Sequence, residues 1–311
     1  MKKLSLIFIV VLLLGGCSAS KNEYSETQLM LDTVCTIRAG GENAESAVCA
    51  AFDRIAEIEA LTDYYSETSE VSAINRAKVG ENVPLSDDVA KILTAAMEVS
   101  RKSDGAFDIT IAPVKDLWKF SDGTHEPPSQ AEISAAMQQV GYHNLLVDTT
   151  GRTLTKTADC KIDLGGAAKG YAADCAAEVL KQHNCEYAVI DLGGNVYVFG
   201  SNPSRRSDEW LIGIQKPFSE NGSYSQTVAL SEGAVVTAGS YQRYFEWNGK
   251  LYHHILDPKC GYPSDSGISG ASIKADNALY ADCLSTACMV LGEEKGKILA
   301  DQFNAELITE R

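Results

Sequence analysis

The feature that most constrains the fold is the pattern Ile-Asp-Leu-Gly-Gly, which occurs twice, at residues 162–166 and 190–194. Each copy predicts the end of a strand followed by a tight turn, because apolar alternation favours strands and glycine favours turns. A helical pattern over residues 171–182 separates the two copies. Further short strands follow without strict strand–helix alternation, so the sequence predicts an α+β fold of mixed sheets and helices.

Composition places the chain among ordinary globular proteins and removes two classes of partner. Its 311 residues are 45% hydrophobic and 22% charged, as in folded domains. No Pro- or Ser-rich linker divides the chain, so we predict a single domain over residues 29–311. The formal net charge of −15 argues against binding to nucleic acid and against electrostatic docking on anionic lipid, because both need clustered Lys and Arg.

The N-terminus is typical of an exported lipoprotein. A positive start precedes an apolar run over residues 4–14, which is too short to span a bilayer, since a mature helix needs about 20 residues. We predict a signal peptide over 1–16, a lipidated Cys17 and a tether over 17–28; the alternative is an ordinary signal peptide. The lipid on Cys17 would anchor the protein to a bacterial cell membrane, facing the periplasm or the cell exterior.

Apolar periodicity, capping residues and turn residues predict the remaining elements. Helices are expected over 44–61, 87–103 (N-capped by Ser86), 130–140 (with a capping box of Ser129 and Glu132) and 277–291 (ended by Gly292). A first strand is expected over 29–38, and hairpins over 145–156 and across Asn248-Gly249. Residues 107–118 contain Pro113 and are expected to form a loop with a short turn.

The stretch over residues 162–174 is the first candidate for chemistry. A predicted strand ends at Asp163, turns on two glycines that include Gly166, and enters a helix that carries Lys169. Glycines let the backbone approach a ligand, a helix N-terminus favours anions, and Lys169 is placed to reach a phosphate. The alternative is a tight turn with a solvated lysine. The stretch is not a Walker A loop, because neither Ser nor Thr follows the lysine.

Two further stretches carry candidate catalytic groups. Asp282 and Thr286 lie four residues apart on one predicted helix face with Ser285 adjacent, and such oxygen donors suit Mg²⁺ rather than Zn²⁺. Alternatively, Asp282 only stabilises the start of a helix. Strand alternation sends His253 and His254 to opposite faces, so at most one is expected to face a site. No Gly-x-Ser-x-Gly elbow supports a serine hydrolase.

Taken together, these motifs resemble those of the ApbE family, the FAD:protein FMN transferases. In chain order they are Tyr65, SEVSAIN (69–75), GAFDITIAP (105–113), IDLGGAAKGY (162–171), IDLGGN (190–195), TAGSYQRYF (237–245), HHILDP (253–258) and ADCLSTACMVLG (281–292). The resemblance covers residues 29–299 and implies an α+β domain with the nucleotide site in a central cleft. It implies Mg²⁺-dependent cleavage of FAD, with FMN attached through its phosphate to a Thr or Ser hydroxyl of an acceptor protein and AMP released.

The resemblance also implies roles for single residues. The flavin-site residues are Tyr65, Ala106, Phe107, Asp108, Asp163, Lys169 and His254. The Mg²⁺ ligands are the main-chain carbonyl region of Gly166 together with Asp282, Ser285 and Thr286. His254 falls on the histidine of the family's His-Ile-x-Asp-Pro motif and would be the base for the acceptor hydroxyl, with a pKa near neutrality. Leu31 stands where the family usually has Met, and Met30 lies one residue early.

The expected acceptor is a protein with an FMN-binding domain, either a membrane redox subunit or an extracellular flavoprotein. Two other functions stay open: a FAD pyrophosphatase that yields free FMN and AMP, and a lipoprotein that stores or delivers flavin without chemistry. The pyrophosphatase needs the same site, whereas a carrier does not need Asp282, Thr286 or His254. Hydride transfer is not expected, because no Gly-x-Gly-x-x-Gly fingerprint follows a strand.

Overall fold

The computed structural model describes residues 22–120, 126–205, 207–220 and 222–311; the predicted signal peptide and Cys17 lie outside these residues. The helices are α1 (Ala44–Thr62), α2 (Glu70–Arg76), α3 (Asp87–Lys102), α4 (Ala112–Trp118), α5 (Gln130–Met137), α6 (Ala168–Gln182) and α7 (Ala278–Asp301). The strands are β1 (Glu23–Met30), β2 (Thr33–Gly40), β3 (Asn82–Pro84), β4 (Leu145–Asp148), β5 (Thr153–Lys156), β6 (Tyr187–Leu192), β7 (Asn195–Gly200), β8 (Trp210–Gln215), β9 (Tyr224–Leu230), β10 (Gly233–Gly239), β11 (Tyr244–Trp247), β12 (Lys250–His253), β13 (Gly270–Ala275) and β14 (Glu306–Glu310).

A seven-stranded antiparallel sheet with the order β1-β2-β6-β7-β10-β13-β14 forms the centre of the molecule. Helices α1, α6 and α7 pack on one face of this sheet, and the hairpin β8–β9 covers the other. Successive side chains of a strand point to opposite faces of the sheet. Val198 of β7 and Val235 of β10 therefore pack beneath the hairpin, while the next residues, Phe199 and Val236, pack in the helical core. The mixture of helices with antiparallel sheets confirms the predicted α+β class.

An aromatic cluster around Trp118 joins α4 to the hairpin β11–β12. Trp118 is fully buried, and its indole Nε1 donates to the carbonyl oxygen of Gly261 at 2.8 Å. Its ring centroid lies 5.5 Å from that of Tyr252 and 6.4 Å from that of Phe245. Buried aromatic rings at such distances attract one another, so this cluster fixes α4 beside the segment that follows β12.

Several sequence predictions are confirmed by the elements themselves. The helix expected over 44–61 is α1, and Ser86 caps α3 by accepting a hydrogen bond from the backbone N–H of Val89. The capping box at the start of α5 is present, since Ser129 and Glu132 each bond the other's backbone N–H. The hairpin across Asn248-Gly249 is β11–β12, and both turn residues have positive φ.

The first strand was predicted wrongly. The single strand expected over 29–38 is the hairpin β1–β2, which turns at Leu31 and Asp32 with φ values of 53° and 57°. Strand β1 begins at Glu23, so the predicted tether over 17–28 overlaps it. As an edge strand, β1 exposes alternate residues, and this polar alternation resembles a solvated linker in the sequence.

The loop predicted over residues 107–118 was also wrong. The structure has a 3₁₀ turn over Ile109–Ile111 followed directly by α4. Pro113 lies in the first turn of α4, where its missing N–H removes no hydrogen bond and its fixed φ suits the helix. Proline therefore marks a helix start here rather than a loop.

The sequence predicts that the last helix ends at Gly292, whereas in the structure Gly292 interrupts α7 and the helix continues beyond it. This residue has φ 76° and ψ 178°, and the chain then resumes a helical path to Asp301. A side chain at Gly292 would lie 3.0 Å from the carbonyl oxygen of Ser266. Within the part of the chain that the structure describes, none of the helices has the length and apolar character needed to cross a bilayer.

Candidate active site

Distant chain segments meet at one end of the main sheet, where the β1–β2 and β6–β7 turns lie side by side. A side chain at Gly193 in the β6–β7 turn would collide with Thr33 at the start of β2. Arg243 reaches the β1–β2 turn from just before β11, and its guanidinium lies 3.4 Å from the carbonyl oxygen of Asp32. Arg243 and Lys169, which lies in the first turn of α6, are both close enough to His254 for their charges to act on its imidazole, so these turns lie beside the start of α6.

The first copy of the repeated pattern does not lie in a strand, contrary to the prediction. Its Ile162 is held instead by the side-chain amide of Asn75, which accepts from the backbone N–H at 2.7 Å and donates to the carbonyl at 3.0 Å. The backbone N–H of Asp163 then donates to the carbonyl of Ile109 at 2.8 Å. The Asn75 amide thus satisfies the backbone groups that a neighbouring strand would otherwise pair with. The segment that it holds continues into Asp163 and the glycine turn at the start of α6.

Asp282 of α7 and Lys169 of α6 face each other across a close helix contact. The Asp282 carboxyl is buried, and its Oδ2 accepts from the backbone N–H of Gly170 at 2.9 Å. Lys169 Nζ lies 3.9 Å from Asp282 Oδ1 and donates to the carbonyl oxygen of Gly165 at 3.3 Å. A side chain at Gly170 would collide with the backbone of Ala278, so glycine after the lysine allows the two helices to approach.

The predicted Mg²⁺ ligands converge at this contact. A Cβ atom on Gly166 would lie 3.5 Å from Thr286 Oγ1, so the glycine backbone runs against α7 one turn beyond Asp282. Ser285 is buried and donates its hydroxyl to the Asp282 carbonyl at 2.8 Å. Across the described residues no group of three His, Cys, Asp or Glu is gathered, so these donors are one carboxylate, hydroxyls and carbonyls. Such hard oxygen donors fit Mg²⁺.

Of the predicted flavin residues, Phe107 and Asp163 lie against the glycine turn. Phe107 and Ala106 are buried, and a Cβ on Gly166 would lie 3.1 Å from the Phe107 ring. Tyr65 is 71% exposed and presents its ring to solvent. Asp163 Oδ1 accepts from the backbone N–H of Gly165 at 2.8 Å, and its Oδ2 pairs with Lys115.

The Asp108 carboxyl accepts hydrogen bonds from neighbouring groups of the protein. Its Oδ1 accepts from the backbone N–H and the hydroxyl of Thr110, at 2.8 and 2.6 Å, and its Oδ2 accepts from the backbone N–H of Tyr142 at 2.8 Å. Burial raises the pKa of the Asp108 carboxyl, while these hydrogen bonds oppose the rise. The geometry gives Asp108 the task of fixing the loop that carries Phe107; a direct flavin contact stays a prediction.

The two histidines differ in their contacts: His253 is the last residue of β12, and His254 follows the strand. His253 is buried; its Nε2 bonds the Ser264 carbonyl at 2.9 Å, and its Nδ1 accepts from the backbone N–H of Ile255 at 3.3 Å. His254 is half-buried, and its shielded Nδ1 has no hydrogen-bond partner among the described residues. Burial, together with the charges of Arg243 and Lys169, lowers the pKa of His254 to about 3. The expected pKa near neutrality is therefore corrected, and His254 is neutral in the ligand-free protein.

The β1–β2 turn separates the two candidates for the early flavin contact. Met30 is buried in the main core. Leu31 is half-buried in the turn, and its backbone N–H donates to Glu59 Oε1 at 2.7 Å. Only Leu31 belongs to the turn that borders the site.

Sequence reasoning missed three residues of this region: Asn75, Lys115 and Arg243. Asn75 and Arg243 lie inside the motifs SEVSAIN and TAGSYQRYF, but the sequence assigns neither of them a role, and it predicts a loop at Lys115. Each acts through a contact that is distant along the chain: Ile162 for Asn75, Asp163 for Lys115 and Asp32 for Arg243. The order of motifs was the one available signal, because it marks the neighbourhood of each residue without naming its partner.

The chain belongs to the ApbE family, since the model of that family matches residues 31–309. A relative from Klebsiella pneumoniae named FAD:protein FMN transferase is 34% identical over 253 residues, which are 81% of this chain and 78% of the relative. A Treponema pallidum protein of the same name is 28% identical and covers 93% of this chain and 85% of its own length.

Solved structures agree with this assignment. The ApbE protein of Thermotoga maritima superposes with a TM-score of 0.82 at 31% identity, covering 92% of this chain and 94% of its own. The apo form of the flavinyl transferase ApbE of Pseudomonas stutzeri gives a TM-score of 0.81 at 30% identity, with 92% and 90% covered.

Proposed function

We propose that this chain transfers FMN from FAD to a Thr or Ser hydroxyl of an acceptor flavoprotein, forming a phosphoester bond and releasing AMP. The observation that carries the proposal is the meeting of Asp282, Thr286 and the Gly166 backbone with Lys169, close enough to His254 for the Lys169 charge to affect that imidazole. The names of the relatives support the same reaction. Phosphoryl transfer depends mainly on positioning and charge neutralisation, which this group of residues supplies.

Asp282, Thr286 and the Gly166 carbonyl region would hold Mg²⁺, with Ser285 beside them. When bound, the ion would neutralise charge on the FAD pyrophosphate. Lys169 adds a second positive charge on the same side, because its stem runs from α6 toward Asp282. Asp282 would therefore interact with both Mg²⁺ and the Lys169 ammonium. The buried hydrogen bond from the Gly170 N–H holds one of its carboxylate oxygens in place.

His254 would take the proton as the acceptor oxygen bonds to the FMN phosphorus and the bond between that phosphorus and the AMP oxygen breaks. No hydrogen bond among the described residues engages Nδ1 of His254, so the ring is not held to another group on that side, and a hydroxyl that reaches the imidazole would pass its proton to the ring. A pKa of about 3 is low for a base, but a bound pyrophosphate would bring negative charge near the imidazole and raise that pKa. Proton acceptance is thus coupled to the presence of substrate.

We further propose that the mature protein is anchored through Cys17 to a bacterial membrane and meets its acceptor outside the cytoplasm. The apolar run and the Gly-Gly-Cys sequence at residues 15–17 support this location. The acceptor would be a protein with an FMN-binding domain, in a membrane redox complex or in an extracellular flavoprotein.

The test incubates the chain from residue 18 onward with FAD and Mg²⁺, with and without an FMN-binding acceptor domain. Intact mass of the acceptor and chromatography of nucleotides are measured together. A mass gain equal to one FMN less one water, matched by AMP, supports the transferase. Free FMN and AMP without a mass gain would replace it with a pyrophosphatase, and intact FAD bound to the protein would replace it with a flavin carrier.

A further inference from the structure

We infer that Lys115 is a positioning residue that joins Asp163 and Tyr65 into one preformed wall for the flavin ring. This inference rests on the proposed function, because it takes FAD as the ligand. Lys115 lies outside the motifs that define the site in the sequence. The motif GAFDITIAP ends two residues before it, at Pro113. The place of Lys115 is set by α4, which the Trp118 cluster fixes against the protein.

The first contact of Lys115 is an ion pair with Asp163. Lys115 Nζ lies 2.5 Å from Asp163 Oδ2, and the two side chains are only 25% and 16% exposed. Burial lowers the pKa of Lys115, but the charge of Asp163 and the hydrogen bond to it outweigh burial, so the pKa is raised overall. Lys115 therefore stays protonated at neutral pH, and it orients Asp163 on one carboxyl oxygen while the Gly165 N–H orients the other.

The second contact is with a pair of tyrosine rings. Lys115 Nζ lies 4.0 Å from the ring centroid of Tyr64 and 5.0 Å from that of Tyr65, and 3.5 Å from the Tyr65 hydroxyl. The two rings meet edge to face with centroids 5.2 Å apart. Asp116 accepts a hydrogen bond from the Tyr64 hydroxyl at 2.6 Å. Lys115 thus contacts both rings, and the next residue, Asp116, holds the Tyr64 hydroxyl. The attraction between the lysine cation and the aromatic rings stabilises this arrangement.

This geometry gives Lys115 a specific task. Tyr65 is otherwise an exposed loop residue, and Lys115 restricts its ring to the side on which Asp163 lies. An isoalloxazine ring offers a flat aromatic face and an imide N–H donor, which match an aromatic ring beside a carboxylate acceptor. A preformed wall lowers the ordering cost of binding, so Lys115 should affect the flavin half of FAD and not the adenine half.

The test compares Lys115→Met, Lys115→Arg and the control Lys119→Met, which removes the same charge from the exposed end of α4. The full chain is purified in mild detergent. Its dissociation constants for FAD, riboflavin and AMP are measured by calorimetry with EDTA present, so that FAD is not consumed. We expect Lys115→Met to weaken FAD and riboflavin about tenfold, or about 1.4 kcal/mol, with AMP unchanged. Lys115→Arg should recover most of the loss, and Lys119→Met should match the wild type.

Turnover gives a second readout. Lys115→Met should raise the KM for FAD by about the same factor and change kcat less than about twofold, because it alters binding and not the reacting atoms. Unchanged riboflavin affinity, an equal loss for AMP, or no recovery with arginine would overturn the inference. Failure of the proposed transferase is a separate result: the wild type would bind FAD without modifying the acceptor, and the effect of Lys115 on riboflavin would still be measured.

Discussion

At the scale of single residues, Asp282 is the group on which the proposed chemistry most depends. Asp282→Asn preserves the shape of the side chain, and its amide oxygen can still accept from the Gly170 N–H, but it removes the negative charge that faces Lys169 and the predicted Mg²⁺ position. We expect Mg²⁺-dependent FAD turnover to fall at least about a hundredfold, in line with the loss of a principal charge-stabilising group. Nucleotide chromatography over a Mg²⁺ titration measures this.

Asp276→Asn is the matched control for Asp282→Asn. Asp276 is exposed immediately before α7, so its substitution removes the same charge without touching the site. The control should keep wild-type turnover, and both variants should melt within a few degrees of the wild type. Normal turnover in Asp282→Asn would remove Asp282 from the metal site.

His254 links the site to the pH dependence of stability. Its pKa is about 3 in the folded protein and about 6.5 in an unfolded chain, so the unfolded state binds more protons between these values. Stability is therefore lost as pH falls below about 6.5, and His253, whose pKa burial also lowers, contributes in the same direction. Between pH 7 and pH 5 we expect the unfolding free energy of the wild type to fall by about 2 kcal/mol more than that of His254→Gln.

Urea unfolding at several pH values measures the effect of His254→Gln. The control is His143→Gln, which replaces an exposed histidine and should leave the pH dependence close to that of the wild type. Identical pH dependence in His254→Gln and the wild type would show that the imidazole titrates alike in both states. The same variant should slow FMN transfer much more than it weakens FAD binding, since His254 is proposed to act on the acceptor hydroxyl.

At the scale of elements, the two copies of Ile-Asp-Leu-Gly-Gly show how far local sequence determines structure. The second copy ends β6, which pairs with β2 and β7 on its two sides. The first copy has the same five residues but lies outside every sheet, held by Asn75 and by the Ile109 carbonyl. Identical segments therefore form a strand or an extended loop according to what lies beside them, and tertiary context decides between the two.

We expect Asn75 to hold in place the segment that carries Asp163 into the candidate active site. Asn75→Ala would leave the backbone N–H and carbonyl of the buried Ile162 without partners, at a cost of about 2–4 kcal/mol in unfolding free energy. FAD binding should weaken with it, because Asp163 follows in the same segment. Urea unfolding and FAD titration measure both effects. Asn82→Ala removes an exposed hydrogen bond to Thr155 and should change neither quantity appreciably.

The sequence predicted elements whose signals are local and missed those whose support is distant. Capping residues located the starts of α3 and α5, and Asn248-Gly249 located a hairpin, because such residues act on backbone groups within a few positions. Helix α4 was missed because its apolar residues follow a proline and become buried only against the Trp118 cluster. The order of the motifs predicted which segments form the site. It did not predict the ion pair of Lys115 with Asp163, because these residues are 48 positions apart and no local pattern links them.

At the scale of the whole molecule, the main sheet begins with β1, and this strand decides where the folded domain starts. All eight residues of β1 pair with β2, and Glu23 at its start accepts a hydrogen bond from the Tyr187 hydroxyl of β6 at 2.7 Å. The far end of the same hairpin forms the turn beside the active site. Removing β1 would leave β2 as an unprotected edge next to the loops that carry the chemistry.

Chains that start at residues 18, 22 and 29 therefore test the domain boundary. The first two retain β1 and should share one melting temperature and one FAD affinity. The third starts one residue after the tether boundary predicted from the sequence and keeps only Leu29 and Met30 of β1. It should melt several degrees lower and associate in solution, because an open β2 edge offers unpaired backbone groups to another copy. Thermal melting and light scattering decide the matter: a chain from residue 29 that melts and scatters like the chain from residue 18 would show that β1 adds nothing to the fold and that the tether extends to residue 28.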